Sequence, residues 1–415
     1  MQDFQKRRFV AFVGVRAGLE ELLDWLKAQD IYSLLISPKC TLKESLTYDY
    51  ILDVDPDDEV AVIDAIKALP SWVELACFYT TNEYRVPAAA KLANYFKVGK
   101  SVAVDGAVNC RNKKLVRKIL FDNGLSKLNY KLVKSSKEVM VASMFLRFPV
   151  IVKPSHDAGS RFVFKCDDML EACAAVNEII ANTTNYVGQS IDPEILIEEM
   201  AVGPEYSVES CTVNGVTHVV AITQKETSGP PRFIEQSHFV PALFDSEQEQ
   251  RIKQLVIQSH QRVGIDNVVT HTEFKLTPSG PEIIEINGRP GGDHIPELVK
   301  YTTGICLSEL GAHIAMGKEF ETYVKHPVIA ESAAVQFFLA DKNGEVEYIA
   351  PKTGSKQILK SQITVQPNSQ VIETTNNYNR LGYVLAISSN NDALQVTQNY
   401  IDSIGYKITA NGCCA

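Results

Sequence analysis

VVTHTEFKLTPSGPEIIEINGRPGG, residues 268–292, is the most informative stretch of the 415-residue chain. Thr277, Pro278, Ser279, Gly280 and Pro281 have the composition of a tight turn, with Gly280 free to take positive φ. The flanking runs are therefore expected to pair as an antiparallel β-hairpin. Folding about Ser279 places Lys275 opposite Ile283, Glu273 opposite Glu285 and His271 opposite Asn287. Strand side chains alternate faces. One face should then carry His271, Glu273, Lys275, Glu285 and Asn287, and the other Phe274, Leu276, Ile284 and Ile286. Two carboxylates directly opposite each other repel. A hard dication reverses that sign. Two carboxylates with an amide oxygen, and Arg289 just beyond, suit Mg²⁺ shared with phosphate oxygens. The alternative is a solvated outer face on which the two glutamates pair by chance.

The rest of the chain narrows the class. Its length allows two or three packed domains. Hydrophobic residues at 45% and charged residues at 22% are ordinary for a globular protein. A net charge of −9 argues against nucleic acid as a partner. No apolar run approaches the ~18 residues of a membrane span. The start, MQDFQKRRFVAFVGVRAG, has no small-residue cleavage site and is broken by Arg16, so it reads as a buried first strand rather than a signal peptide. Nine cysteines without CxxC spacing fit reduced thiols in the cytoplasm, with Cys413 and Cys414 in a frayed tail.

Strand and helix patterns alternate over the first hundred or so residues, which predicts an open α/β sheet. Phe9–Val13, Tyr32–Ile36, Tyr50–Val54 and Trp72–Phe78 are the strands. Leu19, Leu22, Leu23 and Leu26 form a helical stripe, as do Val62, Ile63, Ile66 and Leu69. The loop GVRAG lacks the GxGxxG pattern and gives little support for a nucleotide there. Residues 109–125 read as one basic helix, with Lys113 on a solvated face by default. From Tyr130 the pattern becomes α+β, with strands at Pro149–Pro154, Phe162–Cys166 and Glu194–Met200 and a helix at Met169–Ile180. Asn214-Gly215 marks a two-residue hairpin turn between Glu205–Val213 and Val216–Thr223. Glu247–Val263 is an amphipathic helix, and one more helix is expected near Asn391–Ile404.

Further residues carry chemistry. Lys153 ends the strand FPVIVKP, where a lysine can hold its ammonium over phosphates or simply snorkel. The loop Ser155–Ser160 offers small residues whose amides can cradle a phosphate. Apolar residues of Glu194–Met200 can line an adenine slot, with main-chain groups at Glu199 and Met200 reading its edge, or can equally be core. Glu205 opens the next hairpin and can accept from ribose hydroxyls.

In this order the motifs resemble the ATP-grasp superfamily: Arg111-Asn112-Lys113, Val152-Lys153-Pro154, Glu198-Glu199-Met200 before Gly203-Pro204-Glu205, HTEF, then EINGRPGG. KPSHDAGSRFVFKC, FIEQSHFVPA, NGRPGGDHIPELV and the stretch at Arg380-Leu-Gly-Tyr look most like the L-amino-acid ligases. The resemblance implies an ATP-grasp fold of mixed α/β and α+β content behind an N-terminal open α/β domain (1–108). A linking helix (109–129), a central lid (130–200), a body holding the metal site (201–330) and a C-terminal α+β unit (331–415) would follow. It implies that Lys113, Lys153 and Ser160 meet ATP phosphates, that Glu198, Glu199, Met200 and Ala201 form the adenine hinge, and that Glu205 meets the ribose. Glu273, Glu285 and Asn287 would hold two Mg²⁺ ions, for which Mn²⁺ can substitute, and Arg289 would act on the transferring phosphoryl group. Glu235, His238, His271, Gly291 and Gly292 would line the substrate pocket, with Glu235, His238 and His271 as candidate bases.

The activity implied is ATP-dependent amide or peptide bond formation between a carboxylic acid and an amine, amino acids for preference, through an acyl phosphate, in a cytoplasmic homodimer. Loading of an acyl-carrier thiol, a biotin-carboxylase-like reaction and a non-catalytic nucleotide-binding regulator are the alternatives. Two departures stand out. Arg161-Phe162 stands where members of the family that the chain resembles often have a smaller, acidic-then-glycine pair, and Glu235 and His238 cannot share a face of a regular strand without a bend.

Overall fold

Arg7–Val13 (β1), Ile31–Ile36 (β2), Tyr50–Leu52 (β3) and Val73–Tyr79 (β4) form a parallel sheet in the order β3-β2-β1-β4. Parallel strands need crossovers, and the helices Glu20–Lys27 and Glu59–Lys67 supply them. Their stripes bury Leu22, Leu26, Val62 and Ile66 on the sheet. The structure, a computed structural model, describes residues 5–14, 18–230, 232–347, 355–366, 368–404 and 407–409. Val15, Arg16 and Ala17 of the GVRAG loop, and Cys413 and Cys414, lie outside the described residues. The seven described cysteines are free thiols. No described helix is long and apolar enough to cross a membrane.

Residues 109–125 are not one helix. The helix Val104–Cys110 ends, and Lys113–Asp122 begins after Asn112, whose side chain accepts from the Lys114 and Leu115 amides. Asparagine is a strong N-cap because its oxygen satisfies amides that have no intrahelical partner. The break matters for the site, because it puts Lys113 at the first turn rather than on a solvated flank.

Tyr130–Val133 (β5), Val150–Pro154 (β6), Phe164–Cys166 (β7) and Ile195–Glu199 (β8) make an antiparallel sheet ordered β5-β8-β6-β7. The helices Ser136–Ser143 and Met169–Ile180 cover one face of it. Glu205–Val213 (β9), Val216–Thr227 (β10), Glu235–Val240 (β11), Val268–Thr277 (β12), Gly280–Asn287 (β13) and Ser332–Phe338 (β14) belong to an eight-stranded antiparallel sheet. Gly344–Glu347 (β15), Ile358–Ile363 (β16), Gln370–Val371 (β17), Gly382–Ser388 (β18) and Lys407–Thr409 (β19) complete the strands. The large sheet runs β13-β12-β9-β10-β11-β14-β18-β16, and β17-β15-β19 is a small separate sheet. Asn214 and Gly215 take φ of 51° and 80° at the β9–β10 turn, as a two-residue hairpin of this kind demands.

Phe274, Ile283 and Ile286 from β12 and β13 pack with Val116, Leu120, Ile252 and Val256 of the helices Lys113–Asp122 and Ser246–Val263. Burying each of these large side chains stabilises by roughly 1.5–3 kcal/mol. That burial pins the apolar face of the hairpin to the helices and turns its charged face toward the cleft beside β6 and β8.

Candidate functional site

Glu273 pairs with Glu285 and His271 with Asn287, as the alternation implies. A bulge beyond Glu273 then shifts the register, so Lys275 lies opposite Glu282, not Ile283. The extra residue re-aims its neighbours: Ile283 goes to the core, and Ile284, expected there, borders the cleft instead. Each carboxylate of the pair holds its own cation. Glu273 accepts from Lys225 Nζ at 2.8 Å and from His271 Nε2 at 3.1 Å, and Glu285 accepts from Lys113 Nζ at 2.8 Å.

His271 lies between two carboxylates, with Nδ1 2.9 Å from Glu209. Burial alone would lower its pKa, but Glu209 and then Glu273 outweigh it and raise it to about 9. Both nitrogens of His271, one of the three candidate bases, are engaged by carboxylates, which favour its protonated form. Gly291 does not line the cavity. It backs His271, where a Cβ would come within 3.0 Å of Nδ1.

Lys225 escaped the sequence reading. Its side chain is 2% exposed, and Nζ lies 3.0, 2.9 and 2.8 Å from Glu205, Glu235 and Glu273. Burial disfavours its charge, yet the three carboxylates raise its pKa well above the usual lysine range. Glu273 is held well below the carboxylate range, burial being outweighed by Lys225 and His271, while burial raises Glu235. The Asn214-Gly215 hairpin was the available signal, since it runs Lys225 up opposite Glu205, although a bulge near Val220 moves the register by one.

Glu235 and His238 both border the cleft. The bend they need is a bulge: Glu226 pairs with Ser237 and Thr227 with Glu235, so Gln236 is the extra residue. His238 is 1% exposed, and its Nε2 stands 3.8 Å from Asp293, which Arg380 grips at 2.7 and 3.0 Å.

On the opposite wall, Lys153 pairs with Glu198 at 2.6 Å, and the buried Arg117 donates to the same carboxylate at 2.6 Å. The Glu198 side chain is therefore occupied. Of the main-chain groups expected to read the adenine edge, the amides are taken: Glu199 N–H donates to Asn129 O at 2.9 Å and Met200 N–H to Pro149 O at 3.1 Å. Strand pairing of β8 with β5 and β6 takes up these donors. Gly203, at φ 157°, passes so close to Leu276 O that a Cβ would sit 2.1 Å away, which seats the hinge against β12.

Lys113 Nζ also donates to Asp157 O at 2.6 Å, joining the helix start to the loop that follows β6. In that loop Ser160 and Phe162 both take φ of 57°. Phe162 stands where the resemblance places glycine, the residue that tolerates this conformation without cost. Arg161 donates to Asp157 at 3.0 Å and stacks 4.5 Å over the Phe162 ring, covering the strained turn.

Arg289 does not pair with Asp293. Its Nε pairs with Glu83, and Nη1 donates to Pro290 O at 2.8 Å. Glu83, also bonded by Arg111 at 2.6 Å, is held at about 2, burial being outweighed by Arg289 and Arg111. Arg111 opens the Arg111-Asn112-Lys113 motif, though no role was read for it, while Glu83, in a three-residue turn, carried no sequence signal.

Apart from Gly291, the expected site residues border a single cavity of about 560 Å³ between the central sheet and the charged hairpin. That volume is within the range of small-ligand sites. Among the described residues no three His, Cys, Asp or Glu side chains form a metal cage. The donor set is all-oxygen, with Glu273, Glu285 and Asn287 facing an open cavity, which fits a hard cation that completes its shell from phosphate and water.

Residues 146–297 match the family profile of the ATP-grasp domain. The whole chain aligns with the structure of L-amino acid ligase from Bacillus licheniformis at a TM-score of 0.82 and 20% identity, covering 99% of this chain and 100% of that one. The chain therefore has the ATP-grasp fold and carries an ATP-grasp domain at 146–297. In sequence it is similar to a synthase and a ligase. It is 29% identical over 200 residues to dapdiamide A synthase of Enterobacter agglomerans, 47% of this chain and 46% of that protein. It is 24% identical over 282 residues to alanine–anticapsin ligase of Bacillus subtilis, 64% and 58% respectively. The chain spans about half the length of these two relatives.

Proposed function

We propose that this protein is an ATP-dependent carboxylate–amine ligase that joins small acids and amines, amino acids for preference, through an acyl phosphate. The observation that carries the reading is the in-register Glu273/Glu285 pair, with Asn287 and Arg289, facing Lys113 and Lys153 across one cavity. Four segments of the chain bring these groups, suited to a polyanion, together there. A regulator that only bound nucleotide would not need the paired carboxylates.

In the first step a carboxylate oxygen of the acid attacks the γ-phosphorus of ATP, the bond to the bridging oxygen breaks, and ADP leaves. In the second the amine nitrogen attacks the acyl carbon, and inorganic phosphate leaves with the former carboxylate oxygen. Lys113, Lys153 and Arg289 position the phosphates and offset charge that moves outward as the phosphoryl group transfers. Glu273, Glu285 and Asn287 would hold Mg²⁺, which when bound neutralises phosphate oxygens. The amides already committed at Glu199 and Met200 leave a base edge to the hinge carbonyls and the Ala201 amide, with Glu205 on the ribose. Glu235 and His238 are the groups placed to take the proton the amine must lose. The sheet at 130–200 would act as a lid that keeps water from the acyl phosphate.

An ADP-release screen over amino-acid pairs, with products read by mass spectrometry, tests the reading. ADP and phosphate formed in step with a new amide support it. AMP and pyrophosphate would remove the acyl phosphate. Glu285→Gln loses one ligand charge and is expected to lose most turnover, and full activity in that variant would remove the metal assignment.

A further inference from the structure

Glu83 belongs to the N-terminal sheet unit, in the turn after β4, yet its carboxylate lies inside the cavity formed by the other sheets. It is 7% exposed. Three side chains converge on it: Arg289 through Nε, Arg111 through Nη1 at 2.6 Å, and Asn287. The Asn287 amide is satisfied only with its nitrogen turned to the carboxylates, 3.0 Å from both Glu83 oxygens and 3.3 Å from Glu285.

An additional buried carboxylate beside Glu285 is costly in a cavity meant for polyphosphate, because it repels the ligand. Its partners give the reason for its presence. Arg111 alone would suffice to neutralise it. Instead it also forms an ion pair with Arg289 at Nε. Glu83 holds the guanidinium by charge at Nε, and Nη1 donates to Pro290 O, so the head of Arg289 is anchored between the two at the edge of the cavity. By accepting from the Asn287 amide nitrogen, Glu83 also fixes how that side chain is turned.

We propose that Glu83 is a positioning residue for phosphoryl transfer, supplied by the N-terminal unit, which holds the Arg289 guanidinium in place by charge and fixes the orientation of the Asn287 amide. It acts through those two side chains and touches no reacting atom. The proposal rests on the ligase reading and adds to it the requirement that the N-terminal unit complete the reaction centre.

The test compares wild type, Glu83→Gln and Glu83→Asp in the full chain, with kcat, the KM for ATP and the melting temperature measured for each. Glu83→Gln is expected to lower kcat by roughly tenfold to a hundredfold, the scale for groups that orient a metal or charge ligand, while the KM for ATP stays within about threefold of wild type. Glu83→Asp keeps the charge on a shorter arm and is expected to recover part of kcat. An active wild type with an equally active Glu83→Gln overturns the role of Glu83 and leaves the ligase reading standing. A kcat loss that vanishes at a temperature where the variant is fully folded also overturns it, as does a loss matched by the KM for ATP. A wild type that forms no ADP with any acid overturns the ligase reading, and Glu83 with it.

Discussion

Replacing Lys225 with methionine keeps the length and flexibility of the side chain and removes one charge, the one on which three site carboxylates converge. In the folded chain its Nζ lies 2.8–3.0 Å from Glu273, Glu235 and Glu205. At about 3 Å and an effective dielectric of about 20, each contact is worth roughly 5 kcal/mol of gross attraction. Desolvation of the four groups takes back most of that sum. Breaking a buried pair by removing one member typically costs about 3–5 kcal/mol, because the partner is left charged and dry. Glu235, whose pKa burial already raises, can relieve part of the strain by taking a proton, so the lower end, about 3 kcal/mol, is the expected loss. A thermal melt should then fall by several degrees.

The sign with pH follows from the same groups. With Lys225 present, Glu205 and Glu273 are held below the ordinary carboxylate range. Without it, burial pushes both upward, so the variant gains relative to wild type as pH falls toward about 4.5 and loses most near neutrality. Mg²⁺ alone should restore more of the melting temperature in the variant than in wild type, since it supplies charge to carboxylates that have lost theirs. Melts at neutral and acid pH, with and without Mg²⁺, measure all three effects. A Lys225→Met protein that melts with wild type at neutral pH and turns over normally would refute the assignment of Lys225 as the counter-charge of this site.

Three further outcomes are expected. Arg289→Lys should lower kcat by roughly a hundredfold, with ATP affinity nearly kept, because a lysine cannot reproduce a planar multi-donor contact; near-normal kcat with weakened ATP binding would remove the catalytic role. The Glu209–His271–Glu273 chain contributes stability that is complete below about 6.5 and is lost as pH rises through about 9. Melting temperature should therefore decline over that window in wild type and more shallowly in Glu209→Gln, and equal slopes would count against the imidazolium. Amide exchange at residues 156–161 should slow when an ATP analogue and Mg²⁺ are added, as the loop beside Lys113 and Tyr84 takes up phosphate; unchanged exchange would remove the loop from nucleotide binding.

Much of the local structure is legible in the chain because it depends on near neighbours. The stripe of Met169–Ile180, the amphipathic run to Val263 and the Asn214-Gly215 turn each declare themselves within one element, and the helices and turn form there. The Glu273/Glu285 opposition is legible for the same reason, since a short turn sets the register of a hairpin. Bulges mark where that reading stops. Ile284, the extra residue of β13 opposite Glu273 and Phe274, borders the cavity and sends Ile283 to the core, and the one at Gln236 brings Glu235 and His238 to a common wall. Nothing in alternation announces either insertion.

What the tertiary structure alone decided is the partner of each charge. The sequence determined that Lys113, Lys153, Glu198 and Arg289 were available, and its order of motifs determined the fold in which they would meet. That Lys113 reaches a carboxylate 172 residues away, that Arg117 and Lys153 share Glu198, and that Glu83 rather than Asp293 takes Arg289 depends on how three sheets pack about one cavity. The physical reason is one of range. Periodicity encodes which face of an element is apolar, and burial then orients that face. A charge carries no such pattern, and its partner is whatever opposite charge the packed elements leave within reach.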